Sequence, residues 1–491
     1  MDEKMINVKP SLFLVYAVGS SLLGSISLGL TVGFSSSAIP SMESNLTSPR
    51  IIEHDHNETK SWIKSIISIG AMIGALIAGP VANLIGRKLS LIVANVPFFF
   101  GWLAIGFAPG ITSILIGRLT TGLCSGFVCT VIPLYLVEIS PCHLRGLIGS
   151  TFQAATIGGI LLSSILGVFL EWRQLALISS LPCLIMPLLM FFTTESPAFI
   201  INQQSTNFNN NNNNNNDYQS TSTKETYKVL QRLRSHSSDI EGELKEMGSS
   251  GSTGDESKVF VPWSVIRKPE VYKPFLITLG IMFFQQFSGI SPVTFSMVEI
   301  FKLSQIQLNG FVASVIVNSV SFISTIIASL LSDRCGRKPL LIISGVLHVI
   351  SLSVLGLTFY IVHSNPELGP KYGFIALISL MVFVAGFALG YGCLPFTMIS
   401  EYTIYEARGL ISSAGVCFCW TFAFLLVKSF EDLQHYLKPY GTYWLLAFIS
   451  IFSVPFVTFF VPETKGKSAE KIAHQFNCKL FQDVPCTFRN N

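Results

Sequence analysis

Charge is scarce in this chain of 491 residues. Asp, Glu, Lys and Arg together make up 12% of it, against roughly 25% in an ordinary soluble domain. That shortage excludes three water-soluble domains, which the length alone would suggest, because so little polar surface cannot cover three cores. It also excludes a disordered chain. The net charge is only +4, and there is no basic tract and no RNA-binding motif, so nucleic acid is not an expected partner. Ten cysteines are present, but none shows the paired spacing of a zinc site or a disulfide framework. Cys124, Cys129, Cys183, Cys393, Cys417 and Cys419 lie inside apolar runs, where a thiol behaves as a small hydrophobe. No nucleophile–base arrangement, metal cluster or phosphate loop is visible, so neither an enzyme nor a cofactor is expected. What the chain does have is 50% hydrophobic residues, 39 Phe and a mean hydropathy of +0.55. The expected class is an all-α membrane protein with many spans.

A helix crosses a bilayer with about 20 mostly apolar residues. Twelve such segments are predicted, near 11–38, 62–85, 89–108, 111–137, 148–170, 174–194, 274–298, 308–331, 339–362, 373–399, 409–430 and 440–461. The first is too long and lacks the cleavage site of a signal peptide. Twelve is even, so both termini share a side. Placing them inside gives fourteen Lys and Arg in the short inner segments, among them Arg87, Lys88, Arg145, Arg337, Lys338 and Arg408, against eight in the outer ones. The positive-inside rule therefore predicts cytoplasmic termini. Asn45 and Asn57 head glycosylation sequons in the first outer loop, and agree with that orientation.

The chain repeats itself. GRK at 86–88 recurs at 336–338; Glu138 precedes Arg145-Gly146 as Glu401 precedes Arg408-Gly409; TESPAF at 194–199 ends span 6 as PETKGK at 462–467 follows span 12. Three landmarks in the same order predict two six-helix halves, 11–194 and 274–461, with a substrate site between them. The polar stretch 195–273 is read as a cytoplasmic linker. It holds the Asn209–Asn216 tract, expected to be disordered, and patchy helical spacing around Tyr227, Leu230, Leu233, Ile240 and Leu244. A tail follows from 462 to 491.

Six strings in order resemble the sugar porter family of the major facilitator superfamily, and within it the facilitated hexose and trehalose transporters of insects. They are GRK at 86–88, PLYLVEISPCHLRG at 133–146, QQFSGIS at 285–291, DRCGRK at 333–338, EYTIYEARG at 401–409 and PETKGKS at 462–468. The resemblance covers about residues 12–475 and implies a twelve-helix fold in the plasma membrane, with a small sugar and the lipid bilayer as its partners.

The charges at the inner helix ends are read as a cytoplasmic gate: Arg87, Glu138, Arg145, Asp333, Arg337, Glu401 and Arg408. Opposite charges there are expected to pair across the two halves. Each pair, partly solvated, would contribute about 1 kcal/mol. At mid-membrane a sugar needs neutral groups that both donate and accept. Gln153, Gln285, Gln286 and Asn318 supply them, and the resemblance implies that these four bind the sugar, with Trp420. Ser291 stands where the family usually has Asn, and Phe396 where it has Trp; both are retained as substrate-site positions. Cys419 replaces an amide, Cys393 replaces Pro, and Ala388 replaces an acid or polar residue. Asn83 and Thr194 also depart, from Asp and Pro.

Gly289 and Pro292 in span 7, and Gly390, Gly392 and Pro395 in span 10, are expected to loosen their helices. Gly70/Gly74 and Gly122/Gly126 read as close helix packing. Among ionisable residues well inside the spans only Arg118 and His348 stand out. Arg118 is expected to be structural or gating, and His348 a satisfied interior side chain. Without a membrane-embedded carboxylate, uniport by alternating access of trehalose or a hexose is the expected activity. Proton-coupled sugar or polyol transport and a nontransporting receptor on the same fold are the alternatives.

Overall fold

In hydrocarbon, every backbone N–H and C=O must be satisfied within its own segment, so long apolar runs fold as helices. The computed structural model of this chain follows that rule. It describes residues 11–44, 56–141, 144–201, 225–234, 240, 269–402 and 405–463. Among the described residues, eleven helical segments are long and apolar enough to cross a membrane. The last helix, Tyr405–Phe460, is two spans joined at Lys438, whose φ of 61° and ψ of 164° interrupt the helix. Pro439 follows, and a residue before proline is driven out of the helical region. All twelve expected spans are therefore present.

Spans 1 to 5 are Leu12–Ser44, His56–Ile85, Arg87–Gly106, Ile111–Ile139 and Arg145–Phe169. Span 6 is broken into Trp172–Ser179 and Leu181–Phe191, the second piece carrying proline in its first turn. Span 7 is broken twice, into Pro269–Phe287, Ile290–Phe295 and Met297–Leu303. Its first break lies at Gly289, with φ 93°. Spans 8 and 9 are Gly310–Cys335 and Arg337–Ser364. Span 10 runs from Gly369–Phe387 through a π-helical turn, Ala388–Gly392, into Leu394–Tyr402. The helices of spans 1 and 2 extend several residues beyond the apolar runs, because helical backbone outlasts hydrophobicity at their polar ends.

The helices alternate in direction, so one end of the bundle carries both GRK turns and the other carries the ends of spans 1, 7 and 11. These are called here the GRK end and the far end. Large apolar side chains such as Phe169, Leu188, Phe191 and Phe459 are more than half exposed on the outside, as a lipid-facing surface requires. Within the first half, spans 2 and 4 touch backbone to backbone. A Cβ on Gly70 or Gly74 would strike the backbone of Leu119 or Leu123, and one on Gly122 or Gly126 that of Ile67 or Ala71. The halves meet chiefly along two seams, span 2 with span 11 and span 5 with span 8, with lesser contacts such as span 1 with span 7.

Part of the polar stretch between the halves is also described. Residues 225–233 are helical, with Leu230 and Leu233 fully buried. Ser11 Oγ lies 2.8 Å from the carbonyl of Arg232 and 3.0 Å from that of Leu233. Arg234 Nη1 donates to the carbonyl of Ile139 at 2.7 Å. This segment therefore packs against the GRK end of the first half. Asn45, the Asn209–Asn216 tract and the tail from 464 lie outside the described residues, as do the side chains of Asn57, Asp333, Glu401 and Arg408.

Candidate functional site

The π-helical turn in span 10 starts the site. Such a turn takes backbone groups out of the regular helical ladder, and the carbonyl of Tyr391 accepts 2.7 Å from Gln285 Nε2 on span 7. The neighbouring Gln286 uses both ends of its amide: Nε2 donates to Cys419 Sγ on span 11 at 3.0 Å, and Oε1 accepts from Ser291 Oγ at 2.6 Å. The Cys419 thiol lies 3.5 Å from Gln285 Oε1. Gln285, Gln286 and Cys419 are all buried. Three expected site residues, Gln285, Gln286 and Ser291, are thus joined in one neutral network across spans 7, 10 and 11. Cys419, read from sequence as a lost hydrogen-bonding group, is an active member of it.

The other four lie around that network in different ways. Phe396 and Trp420 are partly buried and pack on the apolar cluster of the first half that includes Phe127, Cys129 and Ile132. They carry the second half's aromatic surface to the seam. Gln153 on span 5 is half-buried, and none of the bonds among the described residues uses its side chain. Asn318 Nδ2 donates to Ser164 Oγ at 2.8 Å. That bond joins span 8 to span 5, so Asn318 links the halves nearer the far end.

At the GRK end, Arg87 and Glu138 form a two-pronged pair. Arg87 Nη2 donates to Glu138 Oε1 at 3.0 Å, and Nε lies 3.0 Å from Oε2. Their side chains are only 8% and 10% exposed, so the expectation of a weak, partly solvated pair fails here. Both residues belong to the first half, so this pair does not cross between halves. Ser196 Oγ also donates to Glu138, and the Phe199 ring lies 5.3 Å from the Arg87 guanidinium. Arg145 does not enter this cluster: its Nε is buried without a partner.

Sequence reasoning gave no role to two carboxylates that organise both GRK turns. Glu195 Oε1 accepts from the backbone N–H of Arg87 at 2.9 Å and of Lys88 at 3.1 Å. In the second half Glu463 accepts from the N–H of Arg337 and of Lys338, each at 3.0 Å. Each sits on the N-terminus of the next helix, where free N–H groups and the helix dipole favour an anion. Gly86 and Gly336 hold φ of 89° and 88°, a left-handed conformation that favours glycine. Burial raises the Glu195 carboxyl above its ordinary value, outweighing its backbone N–H partners and the Arg87 charge. The available signal was the repeat itself, TESPAF against PETKGK.

Arg118 is fully buried. Its Nη1 donates to the carbonyl of Thr31 at 2.9 Å, its Nη2 to Ser35 Oγ, and its Nε to the carbonyl of Ile63 at 3.4 Å. The guanidinium lies 5.5 Å from the Phe34 ring. Its partners are neutral and tie spans 1, 2 and 4 together. His348 departs from expectation. It is enclosed by Phe383, Phe387 and Tyr391, and its Nε2 has no hydrogen-bond partner.

Comparison with known proteins gives one answer throughout. A family model described as "Sugar (and other) transporter" matches residues 17–476. The facilitated trehalose transporter Tret1 of Apis mellifera ligustica is 34% identical over 454 residues, covering 92% of this chain and 86% of that protein. The mouse solute carrier family 2, facilitated glucose transporter member 8, is 33% identical over 473 residues, with 93% of each covered. Among solved structures, the proton:xylose symporter XylE bound to 6-bromo-6-deoxy-D-glucose superposes with a TM-score of 0.74 at 23% identity, over 94% of this chain and 99% of that one. The partially occluded inward-open conformation of XylE from E. coli gives 0.72 at 22%, over 93% and 100%.

Proposed function

This chain belongs to the sugar transporter family, and from that premise we propose that it carries a sugar such as trehalose or a hexose by facilitated diffusion, with the site exposed to each side in turn. The observation that carries the reading is the neutral network of Gln285, Gln286, Ser291 and Cys419 at the break of span 7. Amides, a hydroxyl and a thiol suit an uncharged polyhydroxy solute, and carboxylates or ammonium groups would suit ions. A sugar would compete for hydrogen bonds that now close within the network, and Gln153 offers it a further donor and acceptor. Phe396 and Trp420 would cover the apolar face of the ring, and Asn318 would close the site from the seam.

The relatives' names support facilitated transport of trehalose or glucose. The surroundings of Arg118 support uncoupled transport, because its partners are carbonyls and a hydroxyl. Proton coupling needs a group that releases and regains its proton within the membrane.

We assign the GRK end to the cytoplasm and the chain to the plasma membrane, on the distribution of basic residues and on Asn45 and Asn57 as glycosylation sites. The halves are taken as 11–194 and 274–461, joined by a cytoplasmic linker, 195–273, and followed by a cytoplasmic tail. Arg145, Asp333, Arg337, Glu401 and Arg408 are then the gate charges that act between halves, while Arg87 and Glu138 stiffen the first. Uptake of labelled trehalose, glucose and fructose into proteoliposomes tests the reading. Saturable uptake of at least one supports it, and uptake of none in correctly folded protein overturns it.

A further inference from the structure

We propose that Lys64, Glu299 and Glu431 form an ionic latch that closes the far, extracellular end of the carrier between its halves and opens in each transport cycle. This rests on the carrier reading above. Lys64 belongs to span 2 of the first half, and its side chain is 3% exposed. Its Nζ lies 2.7 Å from Glu299 Oε2, at the end of span 7, and 3.0 Å from Glu431 Oε1, near the end of span 11. Both carboxylates belong to the second half. One ammonium therefore holds two helices of the opposite half at once.

The surroundings fit a seam that closes and opens. Beside the triad, Ser61 Oγ donates to the carbonyl of Lys428 at 3.2 Å, and Lys428 Nζ lies 4.4 Å from the Trp62 ring. Directly below, Ile67 of the first half forms an apolar cluster with Phe295 and Val427 of the second, with Val32 packed against it. The seam is thus a charged layer at the mouth over an apolar plug. Its repeat-related counterpart, span 5 against span 8, is joined nearer the far end by neutral groups, Ser164 with Asn318 and Phe322 against Gly158. The Lys64 triad is therefore not repeated in those contacts and does not follow from the repeat.

Ions suit a contact that must break repeatedly. Closed, the ammonium offsets part of the hydration both carboxylates lose, while Glu299 Oε1 and Glu431 Oε2 stay buried without a hydrogen-bond partner; open, water solvates all three groups, so the closed contact is one that can be given up repeatedly. The Arg87–Glu138 pair cannot do this, because both partners move with the same half. The latch also fixes the order of opening. Span 2 must leave both span 7 and span 11 before Val32 is reached from outside.

Labelling of a cysteine at position 32 from the extracellular side tests this in the full-length chain. Cells expressing Val32→Cys are treated with a membrane-impermeant maleimide, with the otherwise unaltered chain as background and surface protein measured in parallel. Lys64→Gln, and separately the milder Glu431→Gln, are expected to raise the labelling rate at least about fivefold. Exchanging the charges, Lys64→Glu with Glu431→Lys, again sets one ammonium against two carboxylates and is expected to return labelling towards the starting rate. Unchanged labelling in both single variants, or an exchange variant labelled as fast as Lys64→Gln, overturns the latch. Because labelling needs no sugar, the two readings fail separately. Normal uptake with unmoved labelling removes the latch alone, and moved labelling without uptake of any sugar removes the sugar reading alone.

Discussion

Glu195 and Glu463 do the same work in the two halves: each carboxylate accepts the first backbone N–H groups of the helix that follows a GRK turn, at 2.9–3.1 Å in one half and 3.0 Å in the other. The lysines repeat the correspondence. Lys88 Nζ donates to the carbonyls of Phe191 and Thr193, and Lys338 Nζ to that of Thr458. Each turn thereby ties the start of one helix (span 3 or span 9) to the end of another (span 6 or span 12) in its own half.

Glu195→Ala is expected to lower thermal stability, because it frees several partly buried N–H groups, each costing up to about 1–3 kcal/mol when left unsatisfied. Melting of the purified protein in detergent measures it. Glu195→Gln, which keeps one acceptor, should fall between Ala and the natural residue.

The raised Glu195 pKa also gives a sign for pH. A carboxyl whose folded pKa lies above its unfolded value contributes stability that is complete below the unfolded pKa and is lost as pH rises through the folded one. Burial is the main cause of this shift. Stability measured against pH should therefore lose part of its downward slope across that window in Glu195→Gln. An identical slope in the variant would assign the effect elsewhere.

Glu138→Ala leaves Arg87 buried without its partner, and should destabilise the chain by about 3–5 kcal/mol and sharply reduce surface expression. Arg145→Ala should behave differently. Its guanidinium is not part of that pair, so surface expression should hold while sugar uptake slows. Quantifying surface protein and uptake together separates the two outcomes.

Gln286→Ala removes the amide that, on the proposed reading, turns from Cys419 and Ser291 to the sugar. One hydrogen bond of this kind is worth about 0.5–1.5 kcal/mol, so sugar affinity should weaken by up to roughly tenfold. Cys419→Ala should weaken it less, because both glutamines keep one other partner. Concentration-dependent uptake in proteoliposomes reads both, and unchanged affinity in Gln286→Ala would move the site away from span 7.

A protonophore should leave initial uptake of a non-metabolised sugar unchanged, as expected for a carrier whose buried Arg118 is held by neutral groups. Abolished uptake would make the transport proton-coupled.

Much of this molecule follows from the sequence by itself. Apolar runs of the right length can only be helices in lipid, so twelve spans were legible in the chain, and the repeated GRK strings made the two halves legible as well. Glycine at 289 and at 390 and 392 marked where spans 7 and 10 depart from regular helix. Amides at mid-span marked candidate contacts, because a lipid-facing amide is unfavourable. Which partner each polar group takes was decided only by tertiary structure. Glu138 turns to Arg87 within its own half, Cys419 completes the bonding of two glutamines, and Lys64 joins carboxylates 235 and 367 residues away. Hydropathy acts along the chain and can be read there. Pairing acts at about 3 Å between residues far apart in sequence, and exists only once the helices are packed.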